Sequence, residues 1–139
     1  MHTNLLAPMI ALVLWTFVMW AWLYAARIPA IRRLRVPLEA NQSKEAFNAR
    51  LPPEVRWKAD NYNHLLEQPT LFYAVVIALC LLEQDNILNA ALAWHYVGFR
   101  VVHSLVQATV NIILLRFGLF MLSSLALLAL TIRAALALF

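Results

Sequence analysis

Glycine, cysteine and charge are all scarce in this sequence of 139 residues. With two glycines, it has no glycine-rich loop of the kind that cradles phosphate groups. Its single cysteine, Cys80, cannot form an internal disulfide and lacks the partners for a cysteine-based metal site. Charged residues make up 13% of the chain, about half their usual share in soluble domains. These absences argue against a soluble monomer, a disordered chain and a nucleic-acid-binding domain.

Apolar residues make up 63% of the chain and fall in four long stretches. A helix needs about 20 apolar residues to cross the hydrocarbon core of a bilayer. We therefore predict an all-α fold, an integral membrane four-helix bundle that forms a single domain over 1–139. The predicted spans lie near 5–26, 62–82, 87–108 and 112–138. Pro69 lies inside the second span and removes one backbone hydrogen bond, which predicts a kink there.

The basic residues are concentrated in one connection between the predicted spans. Eight of the 11 Lys and Arg residues lie in 27–60, whereas the turn at 83–86 is acidic. Because basic loops stay on the cytoplasmic side, we predict that 27–60 is cytoplasmic and that both termini lie on the opposite side. The positive charge therefore reports orientation and contact with anionic lipid, and no nucleic acid partner is needed to explain it.

Two polar stripes lie at a similar depth in the predicted membrane helices. Residues three or four apart share a helix face, and a charged group that faces lipid costs about 2.5–3.5 kcal/mol. We therefore expect the two stripes to share one pocket that opens toward the cytoplasm, with Arg27 and Arg116 at the same level. Arg133 alone lies near the opposite end of a span, where a long side chain can reach the interface. The stripes are Asp60, Asn63, His64 and Glu67 on the second helix, and Arg100, His103 and Gln107 on the third.

The residue types in this pocket favour a small anionic ligand. Arginine binds carboxylates and phosphates through forked donors, and a cation beside a thiol favours the thiolate. A carboxylate such as Glu67 suits an ammonium group, and an apolar ligand could enter from the lipid. The sequence has no histidine-based metal motif, and no nucleophile elbow surrounds Ser104, Ser123 or Ser124. We predict no metal site.

The stretch 60–74, DNYNHLLEQPTLFYA, resembles the second helix of the MAPEG family, the membrane-associated proteins of eicosanoid and glutathione metabolism. Arg100 and His103, followed by Arg116 sixteen positions after Arg100, are similar to the pattern of the family's third and fourth helices. The resemblance covers essentially the whole chain and is closest to a bacterial branch. It implies a bacterial inner-membrane protein that forms a homotrimer and holds glutathione between neighbouring subunits near the cytoplasmic face.

The resemblance also implies a role for each matching residue. Arg116 would be catalytic and stabilise the thiolate of glutathione, as in a glutathione transferase or peroxidase that acts on a hydrophobic electrophile from the bilayer. The glutathione-binding residues would be Arg27, Asn63, His64, Glu67, Arg100, His103 and Gln107. Among these, Glu67 would bind the amine end and Arg27 a carboxylate. Better-known members have Asn where this chain has His64, Tyr where it has Gln107, and often Ser where it has Phe117.

Two other interpretations remain open from the residues themselves. His64 and Gln107 favour a non-catalytic membrane protein that binds a lipid or a partner protein through the same pocket. Alternatively, the polar groups form a purely structural network that sets the register of the trimer. In that network Arg100 would pair with Glu67, and Arg116 would anchor the fourth helix at the interface.

Overall fold

The computed structural model describes residues 4–139, and each of its elements in that part of the chain is a helix. The first three residues of the predicted domain lie outside it. The helices are α1 (Leu6–Leu34), α2 (Lys44–Ala49), α3 (Pro53–Leu65), α4 (Pro69–Leu81), α5 (Ile87–Thr109) and α6 (Ile113–Leu138). Within this part, three sections are long and apolar enough to cross a membrane: Leu6–Leu34, Pro53–Leu81 and Ile113–Leu138. The 23-residue α5 carries the polar stripe and is less apolar.

Helix α1 continues well beyond the predicted end of the first span. We expected the polar connection to begin at residue 27, but α1 runs through Pro29 and ends at Leu34. Arg32 and Arg33 lie in its last turn, where basic side chains interact favourably with the negative end of the helix dipole. Arg35 then adopts a left-handed conformation with φ 49° and ends the helix. The basic residues up to Arg33 therefore lie on a helix and not in a loop.

The second predicted span is interrupted just before Pro69, as the sequence indicated. Helix α3 begins with Pro53, a favoured first-turn residue, and ends at Leu65. Helix α4 begins at Pro69, which has no N–H to donate to the preceding turn. Residues 66–68 join the two helices as a turn. The interruption leaves carbonyl groups near the end of α3 free to accept hydrogen bonds from other helices.

Helix α5 is the central element of the fold. It packs most extensively against α6 and also contacts α1 and α3. Asn86 caps its start, because the side-chain oxygen accepts a hydrogen bond from the N–H of Asn89 at 3.0 Å. Asn111, with φ 50°, lies in the turn between α5 and α6. The polar stripe of α5 is therefore turned into the protein, where Arg100, His103 and Gln107 are buried.

The outer surface is largely apolar, as expected for helices that face lipid. Large side chains on α1 and α6 are exposed, among them Leu14, Phe17, Leu114 and Leu128. Arg133 makes a contact that the sequence did not predict. Its Nε donates a hydrogen bond to Oδ1 of Asn89, which is completely buried. Arg133 thus joins α6 to the beginning of α5.

Candidate functional site

One open cavity of about 570 Å³ lies where α3, α5 and α6 meet, and α2 contributes to its rim. Its size falls in the range of small-molecule sites, about 300–1,000 Å³. Its polar lining side chains come mostly from α3 and α5, whereas α6 contributes the apolar ones together with Arg116. The lining residues are Lys44, Asp60, Asn63, His64, Glu67, His103, Gln107, Ile113, Arg116, Phe117 and Phe120. The structure therefore brings together, in one cavity, most of the residues of both predicted stripes.

His64 connects a carboxylate at the cavity with a buried cation behind it. Its Nδ1 lies 3.4 Å from Oε2 of Glu67, and its Nε2 lies 3.5 Å from Nη1 of Arg100. A guanidinium group donates hydrogen bonds and accepts none. Nε2 must therefore accept from Arg100, and Nδ1 carries the proton that His64 donates to Glu67. The three side chains form a chain of long hydrogen bonds from the protein interior to the cavity.

Arg100 is the largest completely buried side chain in the described part of the chain. Its Nη2 donates to the backbone oxygen of His64 at 3.4 Å, which also accepts a hydrogen bond from the N–H of Glu67 at 3.2 Å. Its Nε has no hydrogen-bond partner among residues 4–139. No carboxylate in that range lies within 4.0 Å of the guanidinium, so Arg100 does not form the direct ion pair with Glu67 that a structural network would favour.

The α5 stripe has polar atoms without a hydrogen-bond partner near the C-terminal end of the helix. His103 and Gln107 are both buried and line the cavity. Within the described residues, Nδ1 of His103 and Oε1 of Gln107 have no hydrogen-bond partner. Buried polar groups are nearly always paired, so such atoms beside a cavity indicate a ligand or a contact outside the single chain.

Arg116 is positioned by the turn between α5 and α6. Its Nη1 donates a hydrogen bond of 2.7 Å to Oδ1 of Asn111, whose left-handed backbone conformation reverses the chain there. Asparagine tolerates this conformation better than most residues other than glycine. The Arg116 side chain lines the cavity, and its buried Nε has no partner in residues 4–139.

Phe120 forms the aromatic wall of the site. Its ring stacks on the imidazole of His64, with centroids 5.4 Å apart, and lies 6.3 Å from that of His103. The guanidinium carbon of Arg100 lies 5.8 Å from the same ring, within the range of a cation–π contact. Phe120 therefore fixes the two imidazoles that face the cavity.

Arg27 does not line this cavity. Its Nη2 donates a 3.1 Å hydrogen bond to Oδ1 of Asn48, and its guanidinium carbon lies 5.1 Å from the ring centroid of Phe47. Both partners belong to α2. The structure thus separates Arg27 from the other predicted site residues of the same chain.

Comparison with known proteins bears on the origin of this arrangement. Residues 5–136 match the MAPEG family. The chain belongs to the MAPEG family. No curated protein and no solved structure matches the chain. The polar cavity, with its arginine and glutamate side chains, is therefore a feature of a MAPEG membrane protein.

The MAPEG resemblance and the helical spacing together did not identify four residues of the site. Lys44 had been assigned to the basic connection, and only the folding of α2 brings it to the cavity. Phe120 resembles any lipid-facing aromatic residue, and no sequence signal separates it from the others. Asn111 carried a signal, because asparagine is common in left-handed turns.

Gln68 is the fourth missed residue and lies beneath the cavity. Its Oε1 accepts from the hydroxyl of Tyr96 at 3.2 Å, and its Nε2 donates to Oγ of Ser124 at 2.9 Å. Ser124 in turn donates to the backbone oxygen of Phe120 at 2.8 Å. This network links α5 and α6 to the turn at 66–68, which precedes α4. Its position directly before Pro69 was the available signal in the sequence.

No group of three or more His, Cys, Asp or Glu side chains in residues 4–139 is arranged to hold a metal ion. The polar side chains that line the cavity carry guanidinium, ammonium, imidazole and amide groups and two carboxylates. Such a set suits an organic ion that carries both carboxylate and ammonium groups.

Proposed function

We propose that this MAPEG protein spans the membrane four times, binds glutathione at the cytoplasmic end of its helices, and conjugates or reduces a hydrophobic electrophile. The observation that carries the proposal is the cavity of about 570 Å³, which has polar groups on one side and apolar groups on the other. Glutathione brings two carboxylates, an ammonium group and a thiol to the polar side. The apolar side suits a second, hydrophobic reactant.

The charges around the cavity support an anionic ligand. Lys44 and Arg116 balance the two carboxylates of Asp60 and Glu67 at the cavity surface. The buried Arg100 behind His64 adds a further positive charge, which leaves the site with an excess of one. Glutathione carries a net charge of opposite sign near neutral pH, so the cavity and this ligand are complementary.

Glu67 and the unpartnered groups of α5 are assigned to binding. The Glu67 side chain is 71% exposed at the cavity, where it can accept hydrogen bonds from the ammonium group. His103 and Gln107 line the cavity and would contact polar groups of the peptide backbone. Asn63 lines the same wall, and His64 orients Glu67.

Arg116 is assigned to the reacting end of the ligand. Its guanidinium is held by Asn111 and retains donors toward the cavity. A cation next to a thiol lowers the pKa of the thiol and so raises the thiolate fraction at neutral pH. Arg116 would then act by stabilising the nucleophile, and glutathione would supply the sulfur that attacks the electrophile.

The second reactant would enter from the lipid. Ile113 and Phe117, at the apolar side of the cavity, are 72% and 61% exposed on the outer surface of α6. An apolar molecule dissolved in the bilayer can therefore reach Arg116 without crossing the polar wall. This geometry favours a hydrophobic substrate and argues against a water-soluble one.

The assembly and orientation belong to the same proposal. We infer a homotrimer of four-helix subunits in the bacterial inner membrane, with α5 as the fourth membrane-crossing helix and the connection between α1 and α3 in the cytoplasm. The cavity is open in the single chain, which supports a site that a neighbouring subunit completes. In such a trimer, Arg27 of one subunit could approach the cavity of the next.

One observation favours a second function, the binding of a lipid or a partner protein without catalysis. His64 donates to Glu67, and the carboxylate is thereby partly engaged before any ammonium group arrives. Gln107 provides an amide rather than a phenol beside the predicted thiol position. Both features make the pocket less suited to glutathione chemistry.

Glutathione binding to the purified protein in detergent tests the proposal. We expect calorimetric binding and an absorbance increase near 240 nm from the thiolate. Glu67→Gln should weaken binding, and Arg116→Ala should remove the absorbance change while leaving most of the binding. If the wild-type protein neither binds glutathione nor forms thiolate, the enzymatic function is wrong and the non-catalytic function is favoured.

The proposed orientation is tested separately. Single cysteines placed at positions 40–50 of a Cys80→Ser protein should be labelled by a membrane-impermeant maleimide only after the cells are opened. Labelling in intact spheroplasts would place the basic connection outside and reverse the orientation.

A further inference from the structure

We propose that Lys44 is a ligand-binding residue of the cavity and that Arg27 positions it by anchoring α2. This inference rests on the proposed binding of glutathione. It names the group that receives one of the two ligand carboxylates, and it gives Arg27 a role different from the direct contact that the family resemblance implies.

Helix α2 is held against α1 by Arg27 from two directions. The guanidinium donates to Oδ1 of Asn48 at 3.1 Å and lies 5.1 Å from the ring centroid of Phe47. Phe47 also packs against a small apolar cluster of Ala30, Val36 and Leu51, which joins the end of α1 to the start of α3. These contacts hold the short helix α2 in place beside α1 and α3.

Lys44 is the residue of α2 that lines the cavity. Its ammonium group makes no hydrogen bond within residues 4–139. Lys44 is the first residue of α2, and Arg27 holds the other end of this helix. By contrast, the nearby Lys58 is already occupied, because its Nζ donates to the backbone oxygens of Glu54 and Ala108. Lys44 is therefore the ammonium group at this cavity that remains available to a ligand.

The charge balance indicates what Lys44 binds. Without Lys44 the positive charges of Arg116 and Arg100 would only balance the carboxylates of Asp60 and Glu67, and the site would lose the excess positive charge that attracts an anion. Arg116 cannot serve the thiol and a distant carboxylate at the same time. A flexible lysine at the rim suits a terminal carboxylate, because the carboxylate needs a positive charge nearby but no fixed hydrogen-bond geometry.

Calorimetric titration of glutathione into the full-length protein tests both parts of the proposal. We expect Lys44→Ala to weaken binding about 3- to 10-fold, since a partly exposed charge pair is worth modest energy. Arg50→Ala is the matched control, because Arg50 is an exposed basic residue at the end of α2 that does not line the cavity. It should bind glutathione like the wild type.

A carboxylate-blocked ligand identifies the partner of Lys44. The glycine ethyl ester of glutathione should bind the wild type about 3- to 10-fold more weakly than glutathione, and Lys44→Ala should bind the two ligands alike. Equal losses on esterification in the wild type and in Lys44→Ala would show that Lys44 does not contact this carboxylate and would overturn the assignment.

The double variant separates positioning from direct contact by Arg27. If Arg27 acts through α2, Arg27→Ala should weaken binding no more than Lys44→Ala, and the double variant should bind like Lys44→Ala alone. Fully additive losses would mean that Arg27 contacts glutathione itself, which would overturn the positioning role.

Failure of this inference differs from failure of the proposed function. If the wild type does not bind glutathione, the proposed function is wrong and the inference with it. If the wild type binds glutathione and Lys44→Ala binds it equally well, only the role of Lys44 is overturned.

Discussion

Replacing Arg100 by methionine should leave the protein as stable as the wild type, or more stable, while weakening ligand binding. Arg100 is completely buried and has no carboxylate within 4.0 Å among the described residues. Replacing buried ionic groups by apolar residues of similar volume is often neutral or stabilising by about 1–4 kcal/mol. This gain offsets the loss of the hydrogen bonds to His64, which are long, at 3.4 and 3.5 Å, and worth about 1 kcal/mol each.

Arg133→Met is the matched control with the opposite expected sign. The Arg133 side chain donates to Oδ1 of the completely buried Asn89. Its removal would leave that oxygen without its donor, which should lower the free energy of unfolding by about 1–3 kcal/mol. The same chemical change at the buried Arg100 and at the partly buried Arg133 therefore separates a cation kept for ligand binding from one that stabilises the helix packing.

Unfolding by sodium dodecyl sulfate in mixed micelles, followed by circular dichroism, measures both free energies. Calorimetry on the same samples should show glutathione binding about 3- to 10-fold weaker in Arg100→Met, because the variant loses the hydrogen bond that holds Nε2 of His64 and the buried positive charge behind it. A loss of stability in Arg100→Met as large as that in Arg133→Met would refute this reasoning. It would indicate that Arg100 belongs to a structural network instead.

Two further predictions concern the residues that hold the site in place. Asn111→Ala should lower stability by about 2–3 kcal/mol, because it removes the hydrogen bond to Arg116 and places a less tolerant residue at φ 50°. Asn111→Gly should cost only the hydrogen bond, so equal losses in the two variants, measured by the same unfolding assay, would contradict the backbone argument. Gln68→Leu should lower stability by about 1–2 kcal/mol and Tyr96→Phe by less, since the first change disconnects both Tyr96 and Ser124. A thermal shift in detergent checks the order, and a larger effect of Tyr96→Phe would contradict it.

The polar stripes were predictable because they depend only on helical spacing. Asp60 and His64 share a face of α3 whatever the rest of the protein does, and the cost of exposing them to lipid turns that face inward. Glu67 was predicted on the same face but lies in the turn at 66–68, from which it reaches the same cavity. The structure places them beside His103 in one cavity, as that argument requires. The pairings within the site were not predictable, since they depend on distances between helices.

The end of α1 and the place of Lys44 illustrate where the sequence argument stopped. A change from apolar to basic residues marks where a helix leaves the membrane, and α1 nevertheless continues to Leu34 because its backbone hydrogen bonds do not depend on lipid. Lys44 reaches the cavity only because Arg27, Asn48 and Phe47 hold α2 beside α1. Such a contact between distant residues leaves no periodic signal in the chain.

The amino-acid sequence by itself determined that this is a helical membrane protein of the MAPEG family. Hydrophobic run length, the position of Pro69 and the spacing of charges are local properties, and local properties determine helices and their faces. Only the tertiary structure decided that His64 lies between Glu67 and Arg100, and that Arg27 turns away from the cavity toward α2. These outcomes depend on how the helices cross, because a difference of a few ångströms between helices determines whether a charged pair forms.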